Sequence, residues 1–249
     1  MKLVKGLCMT FGMFCTVPMP GHWDESCADR MMPCLPIVGA LVGAIWWGAA
    51  ELMSFSGIHT MIAAAVLMLV PFLAAGFIHL DGYMDTSDAV LSRRSYEEMV
   101  RILKDPHTGA FAVVMIAVLF TLQFAASYAV VDTGRNLALL AVVPVVSRCG
   151  SAMSVLCLKA APHSSYLSLF KRNTGSAHKV VTCYLAACTF AVAWLIGGIT
   201  GLVVVASVTL SFIVTMVYVY RCFKGVSGDL TGFSLVISEL CGLIVLAVL

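Results

Sequence analysis

Three aspartates, Asp81, Asp85 and Asp88, stand within eight positions in the stretch GFIHLDGYMDTSDAV, although the 249-residue chain holds only 13 acidic residues. Their offsets of 0, 4 and 7 put them on one face of a helix, spread over about 60°. Bare carboxylates held that close repel one another, and a hard divalent cation with oxygen ligands relieves the conflict. Mg2+ seldom takes a full protein cage; it commonly bridges one or two carboxylates to phosphate oxygens. The trio therefore points to Mg2+ on Asp81, Asp85 and Asp88 and to phosphate or pyrophosphate chemistry. The plainer reading is a solvated helix end.

Cations follow directly. Arg93, Arg94, Arg101 and Lys104 lie in the next short segment, and guanidinium forks match phosphate oxygens. The same residues serve equally as a topology signal. The turn KDPHTGAF then sets Asp105 and Gly109 just before an apolar run, where helix N–H groups attract anions. Asp229, in SGDLTGF, is a fourth candidate acid ahead of the last apolar run. His79, two residues before Asp81, could orient a ligand or act as a base, although a lone histidine at a helix end is more often structural. His107, His163 and His178 have no metal-ligand spacing. Two charges fall inside apolar runs, Arg148 in VVSRCGS and Glu239 in VISELCG. Such residues face a bundle interior and a partner; they either pair with each other or line a substrate cavity.

The elements that must position these groups are membrane helices. The chain is 61% hydrophobic and 11% charged, with a mean hydropathy of +0.99, whereas soluble domains carry about 25% charged residues. A crossing needs about 20 apolar residues, and seven runs qualify, near 34–53, 59–80, 109–131, 137–158, 179–198, 200–220 and 230–249. The expected fold is an all-α polytopic bundle of about seven transmembrane helices, with six as the alternative count. The fifth and sixth runs are separated only by GGIT and form either a tight hairpin or one shorter span. No repeat or linker divides residues 1–249, which read as one membrane-embedded domain. The N-terminal segment resembles a signal peptide without a convincing cleavage site and reads as retained and interfacial.

Placing the N-terminus in the cytoplasm puts 13 of the 15 Lys and Arg residues on that side, the asymmetry expected of an inner-membrane protein. The acids fall on the same side, so the working face is cytoplasmic. Ten cysteines, most within apolar runs and none in a CxxC pair, read as small lipid-compatible side chains and not as a zinc site. No basic patch interleaved with aromatics points to nucleic acid.

GFIHLDGYMDTSDAV resembles the HLDGLADTADG signature of the cobalamin synthase family, the adenosylcobinamide-GDP ribazoletransferases. Further segments are similar in order: FCTVPMPG, LPIVGALVGA, MVRILKDPHTGAFAVV, VVSRCGSAM with its Ser147–Arg148 pair, and GDLTGFSLVISEL. Together they cover essentially the whole chain. Ala89 and Ala112 replace glycines frequent in the family, which shifts backbone geometry and no charge. The resemblance implies transfer from adenosylcobinamide-GDP to α-ribazole, or its 5′-phosphate, releasing GMP with Mg2+ as cofactor. It implies a catalytic set of Asp81, Asp85, Asp88 and Arg148, with Asp88 as a candidate proton acceptor. His79, Arg93, Arg94, Lys104, Asp105, Gly109, Ser147, Asp229 and Glu239 would contact substrate. The partners implied are these small molecules and the lipid bilayer, with a homo-oligomer compatible. The alternatives are another membrane transferase acting on a pyrophosphate, such as a CDP-alcohol phosphotransferase, and a transporter using Arg148 and Glu239 as coupling charges.

Overall fold

In hydrocarbon, every backbone N–H and C=O must find its partner within the protein, and a helix does this within a single segment. A computed structural model describes residues 2–162, 164 and 167–249; His163 lies outside them. The order is α1 (Lys2–Phe14), a 3-10 turn (Glu25–Arg30), α2 (Met31–Phe55), α3 (Thr60–Ala75), α4 (Ile78–Leu91), α5 (Tyr96–Leu103) and α6 (Ala110–Asp132). A second 3-10 turn (Leu137–Ala141) leads into α7 (Val143–Cys157), α8 (Leu167–Lys171), α9 (Ser176–Phe223) and α10 (Gly228–Val248). Among the described residues extended pairing is limited to an isolated bridge between Ala160 and Val226.

Five described helical segments are long and apolar enough to cross a membrane, and α3 with α4 makes a sixth if the bent pair is one crossing. The 48-residue α9 would extend about 72 Å if straight, more than twice the hydrocarbon thickness of about 30 Å. It does not run straight. Gly198 adopts φ 56° and ψ −134°, outside the helical region, a conformation open to glycine and disfavoured for other residues. Cys183 on the first limb and Val217 on the second then line one cavity with α7. The hairpin expected across GGIT is therefore present, and taking its limbs as two crossings raises the count of five or six by one.

The second expected span ends early. Helix α3 stops at Ala75 instead of continuing to residue 80, because Gly76 (φ 72°) and Phe77 (φ 62°) are both left-handed. Helix α4 leaves at 98° to α3 and so does not continue its line. This bend starts the helix that carries Asp81, Asp85 and Asp88, one side of it buried against its neighbours.

Among the described residues two large interior clusters organise the bundle, with a smaller third around Phe11, Val38 and Ala74. One, nearer α4, includes Met31, Leu80, Tyr83, Phe223, Leu230 and Phe233; the other includes Trp46, Leu67, Leu139, Val204 and Leu243. Trp46 is fully buried, and its Nε1–H donates to the Leu67 carbonyl at 3.0 Å, which satisfies the indole's polar atom. Outward-facing side chains are equally apolar: Phe55 is 84% exposed and Leu195 81%. That surface suits lipid, and it leaves helix contacts to packing and polar links instead of water exclusion.

Candidate functional site

Helix α4 presents the acids through its contacts with α10 and α6. Gly82 lies against the backbone of Asp229: a Cβ there would come within 2.8 Å of the Asp229 Cα. The missing side chain lets α4 and α10 cross closely. Tyr83 fixes the crossing, stacked on Phe233 with ring centroids 5.7 Å apart and donating to the Met115 carbonyl at 3.1 Å. The result brings a residue from the far end of the chain, Asp229, to the three acids of α4.

The electrostatics report that convergence. Burial, followed by the charges of Asp81, Asp229 and Asp88, pushes the Asp85 carboxyl up to about 6. Asp81 is exposed, while Asp85, Asp88 and Asp229 are half-buried. This is concentrated negative potential in a partly dry setting, relieved by a proton or a cation. Among the described residues, no three His, Cys, Asp or Glu side chains form a metal cage. The donor set still fits Mg2+, which takes hard oxygen ligands and completes its shell with water and phosphate.

Asp88 does a second job. Its Oδ1 accepts from the Phe111 N–H at 3.2 Å, and Gly109, the residue capping α6, has no side chain to occupy the carboxylate's space. The helix start anticipated as an anion site thus holds a protein carboxylate. Asp105 turns inward on its own loop: its Oδ1 accepts from the His107 N–H at 2.9 Å and meets His107 Nδ1 at 2.7 Å. These contacts, the backbone one first, hold its carboxyl below the usual range. Arg93, Arg94 and Lys104 are exposed on the segments flanking α5, available to an anionic ligand.

Of the two arrangements that sequence left open for Arg148 and Glu239, the structure shows the pair. They pair at 2.7 Å with side chains only 1% and 7% exposed. The same Glu239 oxygen accepts from Ser147 Oγ at 2.7 Å, and Arg148 also donates to the Pro144 carbonyl at 3.2 Å. The three residues form a packed link between α7 and α10. His79 is buried, stacks on Phe14 at 5.7 Å, and its Nε2 has no hydrogen-bond partner among the described residues. Burial, and secondarily the Arg148 charge, pushes its imidazole down to about 3, so it is neutral in use.

Sequence reasoning missed one buried charged group. Asp29 lies 3.2 Å from Arg30 Nε and 3.7 Å from His178 Nε2. It ties the turn before α2 to the start of α9, where His178 Nδ1 accepts from the Gly175 N–H at 3.1 Å. No local spacing announces partners so distant in the chain. The second omission is Phe14, whose contact with His79 is likewise invisible to periodicity.

Comparison with known proteins now decides the family. A family model described as cobalamin-5-phosphate synthase matches residues 6–247. The chain belongs to the cobalamin-5-phosphate synthase family. An adenosylcobinamide-GDP ribazoletransferase of Clostridium botulinum (strain Alaska E43 / Type E3) is 38% identical over 246 residues, covering 97% of this chain and 96% of the relative. One from Clostridium perfringens (strain ATCC 13124 / DSM 756 / JCM 1290 / NCIMB 6125 / NCTC 8237 / Type A) is 30% identical, covering 98% of each chain. No solved structure matches. The segments that resemble the family signatures sit at the end of α1 and the loop after it, and in α2, α4, α5–α6, α7 and α10, and the fold gathers the last four around the acids and the buried ion pair.

Proposed function

We propose that the chain joins adenosylcobinamide-GDP to α-ribazole or its 5′-phosphate, giving adenosylcobalamin or its 5′-phosphate and GMP. Membership in the family, with ribazoletransferases as full-length relatives, carries the reaction. The convergence of Asp229 on the acids of α4 carries the location. Asp81, Asp85, Asp88 and Asp229 would hold Mg2+ against the pyrophosphate; the ion supplies charge neutralisation to the phosphoryl group in transfer. A ribose hydroxyl attacks the phosphorus attached to cobinamide, the bond to the GMP phosphate breaks, and the hydroxyl proton passes to the protein. Asp88, anchored through Oδ1, offers its other oxygen to that proton. Arg93, Arg94 and Lys104 attract the phosphates and stabilise departing GMP. Arg148 acts as a positioning residue, holding α7 to α10 beside His79.

The reading places the N-terminus and the acidic face in the cytoplasm and the chain in the inner membrane, supported by the distribution of basic residues. Cysteines introduced at Ser95 and Ser176 should label only from the cytoplasmic side. The deciding assay supplies adenosylcobinamide-GDP, α-ribazole and Mg2+ to purified membranes and follows GMP. Absence of GMP with both substrates present would sink the reaction.

A further inference from the structure

Beside the acidic cluster lies a cavity of about 170 Å³. Phe14, Leu35, Val155 and Phe170, from four different helices, form apolar walls, while His79, Asp229 and the hydroxyl residues Ser151, Ser164 and Thr231 supply its polar lining. We propose that this cavity is the subsite for the heteroaromatic base of the nucleoside acceptor. The inference rests on the reading that a ribazole nucleoside supplies the attacking hydroxyl.

Three observations carry it. The first is size: an apolar cavity of about 150 Å³ accommodates a benzene-sized ring, so this one suits a flat ring system of benzimidazole class and excludes a corrin macrocycle. The second is polarity. His79 is 7% exposed and its Nε2 is unpaired among the described residues, and a buried polar atom without a partner calls for a ligand or other explanation. An acyl chain would leave it unpaired, and a phosphate would meet the Asp229 carboxylate with no cation among the lining residues. A heteroaromatic base supplies both a flat apolar body and an in-plane ring nitrogen whose lone pair accepts from the Nε2–H tautomer. The third is position. Asp229 lines the cavity and also acts on Asp85, so a ribose attached to a base seated here reaches the acids from that side.

The test uses the full chain in phosphatidylcholine–phosphatidylglycerol nanodiscs. Val155→Phe fills the cavity and should raise the Kd for α-ribazole, read by its own fluorescence, by about tenfold or more. Mg2+-dependent binding of adenosylcobinamide-GDP should stay unchanged, which also reports that the variant is folded. Phe170→Ala enlarges the cavity and should move kcat/KM by about tenfold toward a three-ring naphthimidazole base. If Val155→Phe loses both ligands, Phe170→Ala decides. Unmoved α-ribazole affinity in a folded Val155→Phe protein, or an unmoved base preference in Phe170→Ala, overturns the subsite. Wild-type GMP release separates the two readings: release with KM for α-ribazole unmoved in both variants removes the subsite and keeps the reaction. Cavity-dependent α-ribazole binding without any GMP release removes the reaction and keeps the subsite.

Discussion

Two groups of charges in this chain are treated in opposite ways. On α4 and at the start of α10, four carboxylates gather half in solvent with no salt bridge among the described residues, and burial, followed by the neighbouring carboxylates, pushes Asp85 up to about 6. Between α7 and α10, Arg148 and Glu239 are sealed at 1% and 7% exposure, each charge answered by the other at 2.7 Å. A charge pair buried in low dielectric is costly unless complete; complete, it serves as a joint. An unbalanced cluster at the surface is poor architecture and good preparation for a cation and a phosphate. On the function proposed above, incompleteness marks the working charges and completeness the structural ones.

The sharpest way to break this contrast is to neutralise the open cluster. Asp81→Asn, Asp85→Asn and Asp88→Asn should each lower GMP release by about 10²–10³-fold, while insertion and thermal unfolding change little. Near-normal turnover with unaltered Mg2+ dependence in all three would reduce the cluster to a solvated helix end. The closed pair should behave inversely. Arg148→Met leaves Glu239 buried without its counter-charge, held only by the Ser147 hydroxyl, and should cost about 3–5 kcal/mol of stability, visible as early unfolding in nanodiscs. Arg148→Met combined with Glu239→Gln should recover most of that loss and most of the activity. A stable but inactive double variant would show that Arg148 works on the substrate itself.

A smaller effect tests the joint between the regions. Gly82→Ala sets a methyl about 2.8 Å from the Asp229 Cα and should push α4 from α10. Misplacement of that order costs up to about 10²-fold in turnover, and the Mg2+ requirement should rise; an unchanged requirement would detach Asp229 from the site. The mildest perturbation is pH. Asp85 is protonated below about 6, so Mg2+ must displace a proton there, and its apparent affinity should weaken as pH falls through that value. Without Mg2+ the sign reverses for stability. The folded-state value exceeds the ordinary 3.8, so the fold binds the extra proton, and stability should fall as pH rises from about 4 to 6. Asp85→Asn should abolish both trends; their persistence would assign the titration elsewhere.

Much of this was legible in the residues alone. Apolar runs of crossing length, with so few charges, leave helices as the backbone's solution in lipid, and the offsets of Asp81, Asp85 and Asp88 put them on one face because helical periodicity is a local property. The hairpin was legible for the same reason, since GGIT leaves no length for a loop. The bend at Gly76 and Phe77 was not, because the apolar run continues through it to Leu80. The partners of each charge belonged to tertiary structure: that Asp229 joins α4, that Glu239 takes Arg148, that Asp29 meets His178, and that Phe14 covers His79. In a bilayer the outside of a helix is as apolar as its packed face, so hydrophobic pattern does not mark which face meets which neighbour. Backbone approach at Gly82 and the shapes of distant side chains made those choices, and they exist only once the helices are packed.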